Sequence, residues 1–185
     1  MEPKTLRRPH RKPACYRLAH FSDFHLTGVN QDFKRSLALI DHAIGQAVDH
    51  VVITGDLVEC GQVGVYGEFC RRLLRRGWFN PQRLSLVPGN HDIFPASKIA
   101  LPPIWRRPTR NFEEIAALTR PTVRGRQCRL LLPGQAYPYA KRLAQGVVLV
   151  GVDTTRNGQY LPTRWAEGEF PDPHRDAVQK HFAQQ

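Results

Sequence analysis

The 185-residue chain has the length of a single domain, and its 41% hydrophobic and 23% charged residues are typical of soluble globular proteins. No apolar run approaches the roughly 20 residues that cross a bilayer, and the proline- and arginine-rich N-terminus lacks the apolar segment of a secretory signal. The four cysteines are scattered and form no CxxC pair, which favours reduced thiols. We therefore expect a cytoplasmic protein with no membrane partner.

The net charge of +11 indicates a surface that attracts anions, either phosphate substrates or nucleic acids. The arginines are spread over several segments, and no aromatic-interleaved patch or known nucleic-acid motif accompanies them. A generally basic surface is the favoured interpretation. A nucleic-acid-binding protein is the alternative, and it predicts an affinity that falls steeply with salt.

Two regions are predicted along the chain, a flexible basic tail at 1–14 and one domain at 15–185. The tail contains three prolines and shows no hydrophobic periodicity. Its arginines would suit a mitochondrial presequence, but the prolines argue against the amphipathic helix that such a presequence requires.

The first part of the domain alternates between strand and helix patterns. Apolar segments predict strands at 15–22, 50–54 and 83–87, and the second of these is rich in β-branched residues. Apolar residues at helical spacing predict helices at 32–48 and 63–76. Such alternation indicates an α/β fold with right-handed crossovers and a largely parallel sheet.

Each predicted helix has one apolar face, which we expect to face the core. In the first helix this face consists of Phe33, Leu37, Ile40, Ile44 and Val48. In the second helix it consists of Val65, Phe69, Leu73 and Leu74, with Arg71, Arg72, Arg75 and Arg76 mostly outside. His42 lies off the first face and is expected to be solvated.

Beyond residue 92 the patterns are less regular. A Pro- and Arg-rich stretch at 95–110 indicates a surface loop, and Asn111 followed by two glutamates predicts the N-cap of a short helix at 111–119. The remaining predicted elements are strands at 128–132, 136–141 and 146–152, the last ending at Asp153, and a helix at 173–184.

Polar residues that could bind metal follow directly after the first three predicted strands. Asp23 and His25 follow the first strand, and Asp56 follows the second. Gly-Asn-His-Asp at 89–92 follows the third. Ligands in open α/β sheets bind beyond the carboxyl ends of the strands, so these residues are expected to form one site.

The residue types in this set indicate a divalent metal site. Asp23 and His25 are two residues apart in an extended segment, so both can reach one cation. Asp56 can bridge two cations through its two oxygens, and Asn90 offers a neutral carbonyl oxygen. This nitrogen and oxygen set suits Mn, Fe or Zn and excludes a soft thiolate site.

Phosphoester hydrolysis is the chemistry that such a site predicts. Two cations about 3.5–4 Å apart would clamp a phosphate ester and supply a hydroxide for in-line attack. His91, next to the metal ligand Asn90, would protonate the leaving oxygen, and Asp92 would orient His91.

The ordered set of D-x-H, G-D and G-N-H-D at three successive strand ends resembles the calcineurin-like metallophosphoesterase superfamily. The resemblance covers residues 16–153. Leu57 and Val87-Pro88 look most like the cyclic-nucleotide-phosphodiesterase-like branch of that superfamily. The resemblance implies a layered α-β-β-α sandwich of mixed sheets flanked by helices.

The resemblance also implies a role for each motif residue. Asp23 and His25 would bind one metal, Asp56 would bridge, and Asn90 would bind the other metal. His91 would be the general acid, with Asp92 supporting it.

Two later histidine motifs of the superfamily are missing from this sequence. The late histidines, His174 and His181, stand in neither a Gly-His nor a His-x-His setting, and both are interpreted as exposed helix residues. We therefore expect a partial fold that lacks the C-terminal strands. We also expect weak or single-metal occupancy where the complete family site holds two metals. The apolar surface that such a fold exposes favours self-association through a sheet edge.

Two functions remain open. The first is an enzyme that hydrolyses phosphoesters, with phosphodiesters or nucleotides as the expected substrates. The second is a truncated, non-catalytic or weakly active remnant that binds phosphate or a partner.

Overall fold

A computed structural model describes residues 15–59, 61–93, 108–155 and 168–184. The predicted tail at 1–14 and most of the predicted loop at 95–110 lie outside the described residues. The limits of the predicted domain stay a prediction.

A parallel three-stranded sheet forms the first half of the fold. Its strands are β1 (Leu18–Phe21), β2 (His50–Thr54) and β3 (Leu84–Val87), adjacent in that order. The connections are α1 (Asn30–Gly45) and α2 (Val63–Arg75), which confirms the predicted β-α-β-α-β alternation. β1 is shorter than predicted because its pairing with β2 begins at the first residue of β2.

The helices cover one face of this sheet. Val51 and Ile53 of β2 are buried in a single cluster with Leu84 and Leu86 of β3. α1 adds Phe33, Leu37 and Ile40 to this cluster, and α2 adds Tyr66, Phe69, Cys70 and Leu73. The apolar faces of α1 and α2 therefore pack in the core as predicted. His42 is exposed, as expected.

One residue that was predicted to face the core is exposed instead. Leu74 is 60% exposed, whereas Leu73 is 0% exposed. Successive helical residues point about 100° apart, so two neighbouring leucines cannot both occupy the centre of the buried face.

A second sheet is antiparallel and packs on the opposite face of β3. It consists of β4 (Cys128–Leu130), β5 (Tyr139–Ala144) and β6 (Val147–Gly151). The fold thus has two stacked sheets, with helices on the outer face of the first sheet. This arrangement agrees with the predicted partial sandwich. β5 starts and ends later than the predicted 136–141, because it runs directly into a tight turn with β6 in which Gly146 has a φ of +76°.

Side chains of β5 and of the segment just before it cap the free edge of β3. The Nζ of Lys141 donates to the carbonyl oxygen of Leu84 at 2.7 Å, and the Tyr137 hydroxyl donates to that of Leu86 at 3.1 Å. The Lys141 ammonium also donates to Ser85 Oγ and to the Thr122 carbonyl oxygen, both at 2.8 Å. Its three protons thus have three acceptors, although the side chain is 1% exposed.

The buried network continues from Ser85 to His50. His50 Nε2 lies 2.9 Å from Ser85 Oγ, and His50 Nδ1 lies 2.9 Å from the Gln82 carbonyl oxygen. A carbonyl only accepts, so Nδ1 carries the hydrogen and Nε2 accepts from the Ser85 hydroxyl. Burial is the main cause that lowers the pKa of His50 to about 4, with a smaller contribution from the nearby charge of Lys141, so this imidazole is neutral.

Three further helices complete the described fold. A short α3 (Asn90–Ile93) follows β3, and α4 (Pro108–Thr119) begins three residues before Asn111, which therefore lies inside the helix and is not its N-cap. Proline is favoured at a first helical position, which explains the earlier start. A 3₁₀ turn (Arg120–Val123) leads to β4.

The last helix, α5 (Asp172–Ala183), agrees with the predicted 173–184 to within one residue at each end. None of its residues is fully buried. No helix in the described parts of the chain has the length and apolar character needed to span a membrane.

Candidate metal centre

The segments that follow β1 and β2 stay paired beyond the sheet. The N–H of Asp23 donates to the Gly55 carbonyl at 3.2 Å, and the N–H of His25 donates to that of Asp56 at 3.0 Å. Leu26 and Val58 then form a parallel bridge. This pairing places the predicted ligands from two strand ends side by side.

The backbone at these ligands is unusual. Asp23, His25 and Asp56 have φ angles of 57°, 45° and 52°, in the left-handed region that residues other than glycine rarely adopt. Of the four described non-glycine residues with positive φ, these three are site residues. Each non-glycine residue in this region costs about 1–3 kcal/mol of folding free energy, and such strain is concentrated at functional sites.

Two glycines allow the β2 and β3 loops to meet. A Cβ on Gly55 would lie 2.6 Å from the Gly89 Cα, and a Cβ on Gly89 would lie 2.5 Å from the Asp56 backbone nitrogen and closer still to Asp56 Oδ1. No side chain fits at either position. The contact brings Asp56 against the segment that carries Asn90, His91 and Asp92.

Two groups of donor atoms could hold a metal ion. One atom each from Asp23, His25 and Asp56 lie within 4.8 Å of one another, and so do one atom each from His25, Glu59 and His91. The first group is the three-ligand set that the sequence predicted. The second group shares His25 with it and brings in Glu59.

Glu59 was not predicted as a site residue. Its carboxylate Oε2 lies 2.7 Å from Nδ1 of His25, and its carbonyl oxygen lies 2.8 Å from Nδ1 of His91. The carboxylate contact is close but is not aligned as a hydrogen bond, so the buried Nδ1 of His25 has no hydrogen-bond partner in the described part of the chain. An acidic residue three positions after the Gly-Asp turn was the available signal.

The rings of His25 and His91 lie edge to face with centroids 4.7 Å apart. Nε2 of His25 lies 3.8 Å from Oδ1 of Asp23. Because Nδ1 of His25 faces Glu59, the Nε2 side of this ring is the one that faces the predicted metal set. Metal-binding histidines are commonly oriented in this way through their second nitrogen.

Asp92 links the two loops that carry site residues. Its fully buried carboxylate accepts hydrogen bonds from the N–H groups of Val58 at 2.9 Å and Gly89 at 2.8 Å. Burial raises the pKa of Asp92 to about 6, against the lowering effect of these two bonds. The bonds tie the loop that carries His91 to the loop after β2, while the ring of His91 itself is held by the Glu59 carbonyl.

Three other residues discussed in the sequence analysis, Asn90, His174 and His181, lie outside the two donor groups. Asn90 is half-buried and begins α3, and its role as a ligand stays a prediction. His174 and His181 lie in α5 but are half-buried, not exposed as predicted, because α5 rests against the segment around Gln135. Neither belongs to the two donor groups found among the described residues.

The donors fit a divalent cation. Two carboxylates and an imidazole converge, which is the ligand chemistry of Mn, Fe and Zn sites, and they do so from a strained backbone held by hydrogen bonds. No thiol belongs to either group. Cys15, Cys70 and Cys128 are free thiols, as expected.

Comparison with known proteins agrees with this geometry. A family model described as calcineurin-like phosphoesterase matches residues 16–151. The match covers both sheets and all six predicted site residues, Asp23, His25, Asp56, Asn90, His91 and Asp92. A comparison with curated proteins found no match. Because the matched range covers well over half of the sequence, the chain belongs to the calcineurin-like phosphoesterase family of metal-dependent phosphoester hydrolases.

Proposed function

We propose that this chain hydrolyses phosphoesters, with phosphodiesters or nucleotides as its substrates. The observation that carries the proposal is the convergence of donor atoms from Asp23, His25 and Asp56 within 4.8 Å, each on a left-handed backbone. Leu57 and Val87-Pro88 favour substrates of the cyclic-nucleotide-phosphodiesterase-like branch.

Asp23, His25 and Asp56 would hold one divalent cation, and Asp56 and Asn90 would hold a second. Bound cations of the Mn, Fe or Zn class supply positive charge to the phosphate and lower the pKa of water. With two protein ligands against three, the second position would be the weaker one.

His91 would donate a proton to the leaving oxygen. Its Nδ1 faces the Glu59 carbonyl, which can only accept, so Nδ1 carries a hydrogen. Nε2 is therefore the atom of the imidazolium that can give its proton to a substrate. Asp92 would keep His91 in place through the backbone bonds described above.

A remnant that binds phosphate without turnover is the second candidate. It is favoured by the absence of the late histidines, His174 and His181, from the donor groups found among the described residues. In this case the strained ligand loops would bind a cation and phosphate, but no catalysis would follow.

Two further proposals concern the setting of the protein. Free thiols at the described cysteines support a cytoplasmic location.

Self-association would use β1, an edge strand of the first sheet whose Leu18 is 48% exposed, since β3 at the other edge is capped.

The test is hydrolysis of bis(p-nitrophenyl) phosphate by the full chain with added Mn, compared with the Asp56→Asn variant. Asparagine keeps an oxygen that can accept the His91 N–H but removes the charge. Asp41→Asn, on the exposed side of α1, is the matched control.

Turnover that requires Mn, disappears in Asp56→Asn and persists in Asp41→Asn would support the enzyme. Mn binding by calorimetry that is lost in Asp56→Asn, without turnover in the unmodified chain, would support the remnant. A folded chain that neither binds Mn nor turns over substrate would contradict both.

A further inference from the structure

A basic groove lies between the second sheet and α5, away from the metal centre. It consists of a cavity of about 730 Å³ between β4 and α5 and an adjoining cavity of about 280 Å³ along β5. Arg129 and His181 line both cavities, so the two adjoin each other. We call this feature the arginine groove, and its basic residues are Arg126, Arg129, Arg142, Lys180 and His181.

Strand alternation directs two of these arginines into the groove. Arg129 pairs with Ala140 and Arg142 pairs with Val148, and Ala140 and Val148 line the same cavity. Lys141, between Ala140 and Arg142, points the other way and contacts β3. The groove is therefore on the outer face of the sheet, whereas the inner face packs on the first half of the fold.

Within the described residues, the three arginines of the groove form no ion pair, unlike the arginines of α2. Arg71, Arg72 and Arg76 on α2 form ion pairs with Glu68 and Asp41. In contrast, Arg126, Arg129 and Arg142 have no ion-pair partner in the described part of the chain. Asp176 is the acidic residue among those lining the groove, and it lies 4.0 Å from Arg175.

We propose that the arginine groove binds an oligonucleotide strand through its linear series of phosphates. Guanidinium groups bind phosphate oxygens through paired N–H donors, and three of them here have no carboxylate partner among the residues that the structure describes. The cationic groups are spread along two adjoining cavities, so a single phosphate would reach only some of them. A chain of phosphates would contact the whole set.

Salt dependence gives a quantitative expectation. A single strand that contacts three to four cationic side chains should lose affinity with a log–log salt slope of about −2 to −3. Removing two of the arginines should reduce this slope by about 1.4. The net charge of +11 would add non-specific attraction, which a charge-matched control must separate.

The experiment measures fluorescence anisotropy of a fluorescein-labelled oligothymidylate of about a dozen nucleotides with the full chain in EDTA. EDTA prevents metal-dependent cleavage and makes the result independent of the proposed hydrolase activity. The test variant is Arg129→Gln with Arg142→Gln. The control is Arg35→Gln with Arg75→Gln, two exposed arginines on α1 and α2 that lower the net charge equally.

We expect roughly tenfold or greater weakening in the groove variant and less than about twofold in the control. Inorganic polyphosphate that competes less well than unlabelled oligothymidylate at equal phosphate concentration would support an oligonucleotide ligand, and equal competition would overturn it. Equal weakening in both variants, or no binding by the unmodified chain at low salt, would overturn the proposal. Thermal unfolding of both variants verifies that they are folded.

Discussion

The backbone N–H of His91 donates a hydrogen bond to Oδ1 of Asp56 at 3.0 Å. The predicted bridging ligand and the predicted general acid are therefore held by one contact. The bond also uses one of the four lone pairs of the Asp56 carboxylate, which leaves the other oxygen free of this contact. Changes that displace either loop should affect both residues together.

Gly89→Ala should weaken metal binding at least about tenfold, because the added methyl group would occupy the position of Asp56. Overpacking of this kind also costs about 1–3 kcal/mol of stability. Manganese calorimetry and thermal unfolding measure the two effects.

Gly64→Ala is the control, since a Cβ at that helical position meets nothing within 4 Å. It should leave manganese binding unchanged and stabilise the protein by about 0.5–1 kcal/mol. Equal metal affinity in the two variants would contradict the close-approach argument.

Glu59→Gln should weaken metal binding by about 10–100-fold, as is typical when the partner of a metal-binding histidine is lost. The substitution removes the charge that faces Nδ1 of His25 but keeps the carbonyl that holds His91. Manganese affinity is the measurement, and Glu113→Gln on the exposed side of α4 is the matched control. Unchanged affinity in Glu59→Gln would show that Glu59 does not position His25.

Lys141→Met should change how stability depends on pH. Burial lowers the pKa of Lys141 from 10.5 to about 8 in the folded protein. Between these values the unfolded chain binds more protons than the folded protein, so Lys141 makes stability rise with pH. The rise is roughly 3 kcal/mol.

Denaturant unfolding at pH 8 and near pH 10.5 measures this effect as the difference between the two proteins. The groups that face Lys141 are His50, Ser85, Cys128 and Tyr139, and they are present in both. Parallel pH profiles for the two proteins would exclude a lowered pKa at Lys141.

Leu73→Ala should destabilise the protein by about 2–5 kcal/mol, whereas Leu74→Ala should change stability by less than about 0.5 kcal/mol. The two leucines are neighbours with the same helix propensity, so the difference reports burial alone. Denaturant unfolding at constant pH measures both, and similar losses would contradict the observed orientation of α2.

Strand ends and helix faces were predictable because they follow local periodicity. The pattern around Asp23, Asp56 and His91 locates the site without any knowledge of contacts between distant residues. Leu74 was misplaced because the hydrophobic pattern identifies apolar residues but does not fix the centre of the buried face within about one residue.

Contacts between distant parts of the chain account for what the sequence could not predict. Glu59 acts on His91 through its backbone carbonyl, which no side-chain pattern reveals. Lys141 looks like a solvated strand residue until β5 is packed on β3. The later bounds of β5 were equally hidden, because they depend on pairing with β6.

The capped edge of β3 has a consequence for synthesis on the ribosome. The metal-binding loops are complete once residue 92 has emerged, but the donors for the Leu84 and Leu86 carbonyls arrive only with Tyr137 and Lys141. Until then β3 presents an open edge that another strand could pair with. We therefore expect nascent chains that stop before residue 137 to aggregate, even though every predicted ligand of the site is already present.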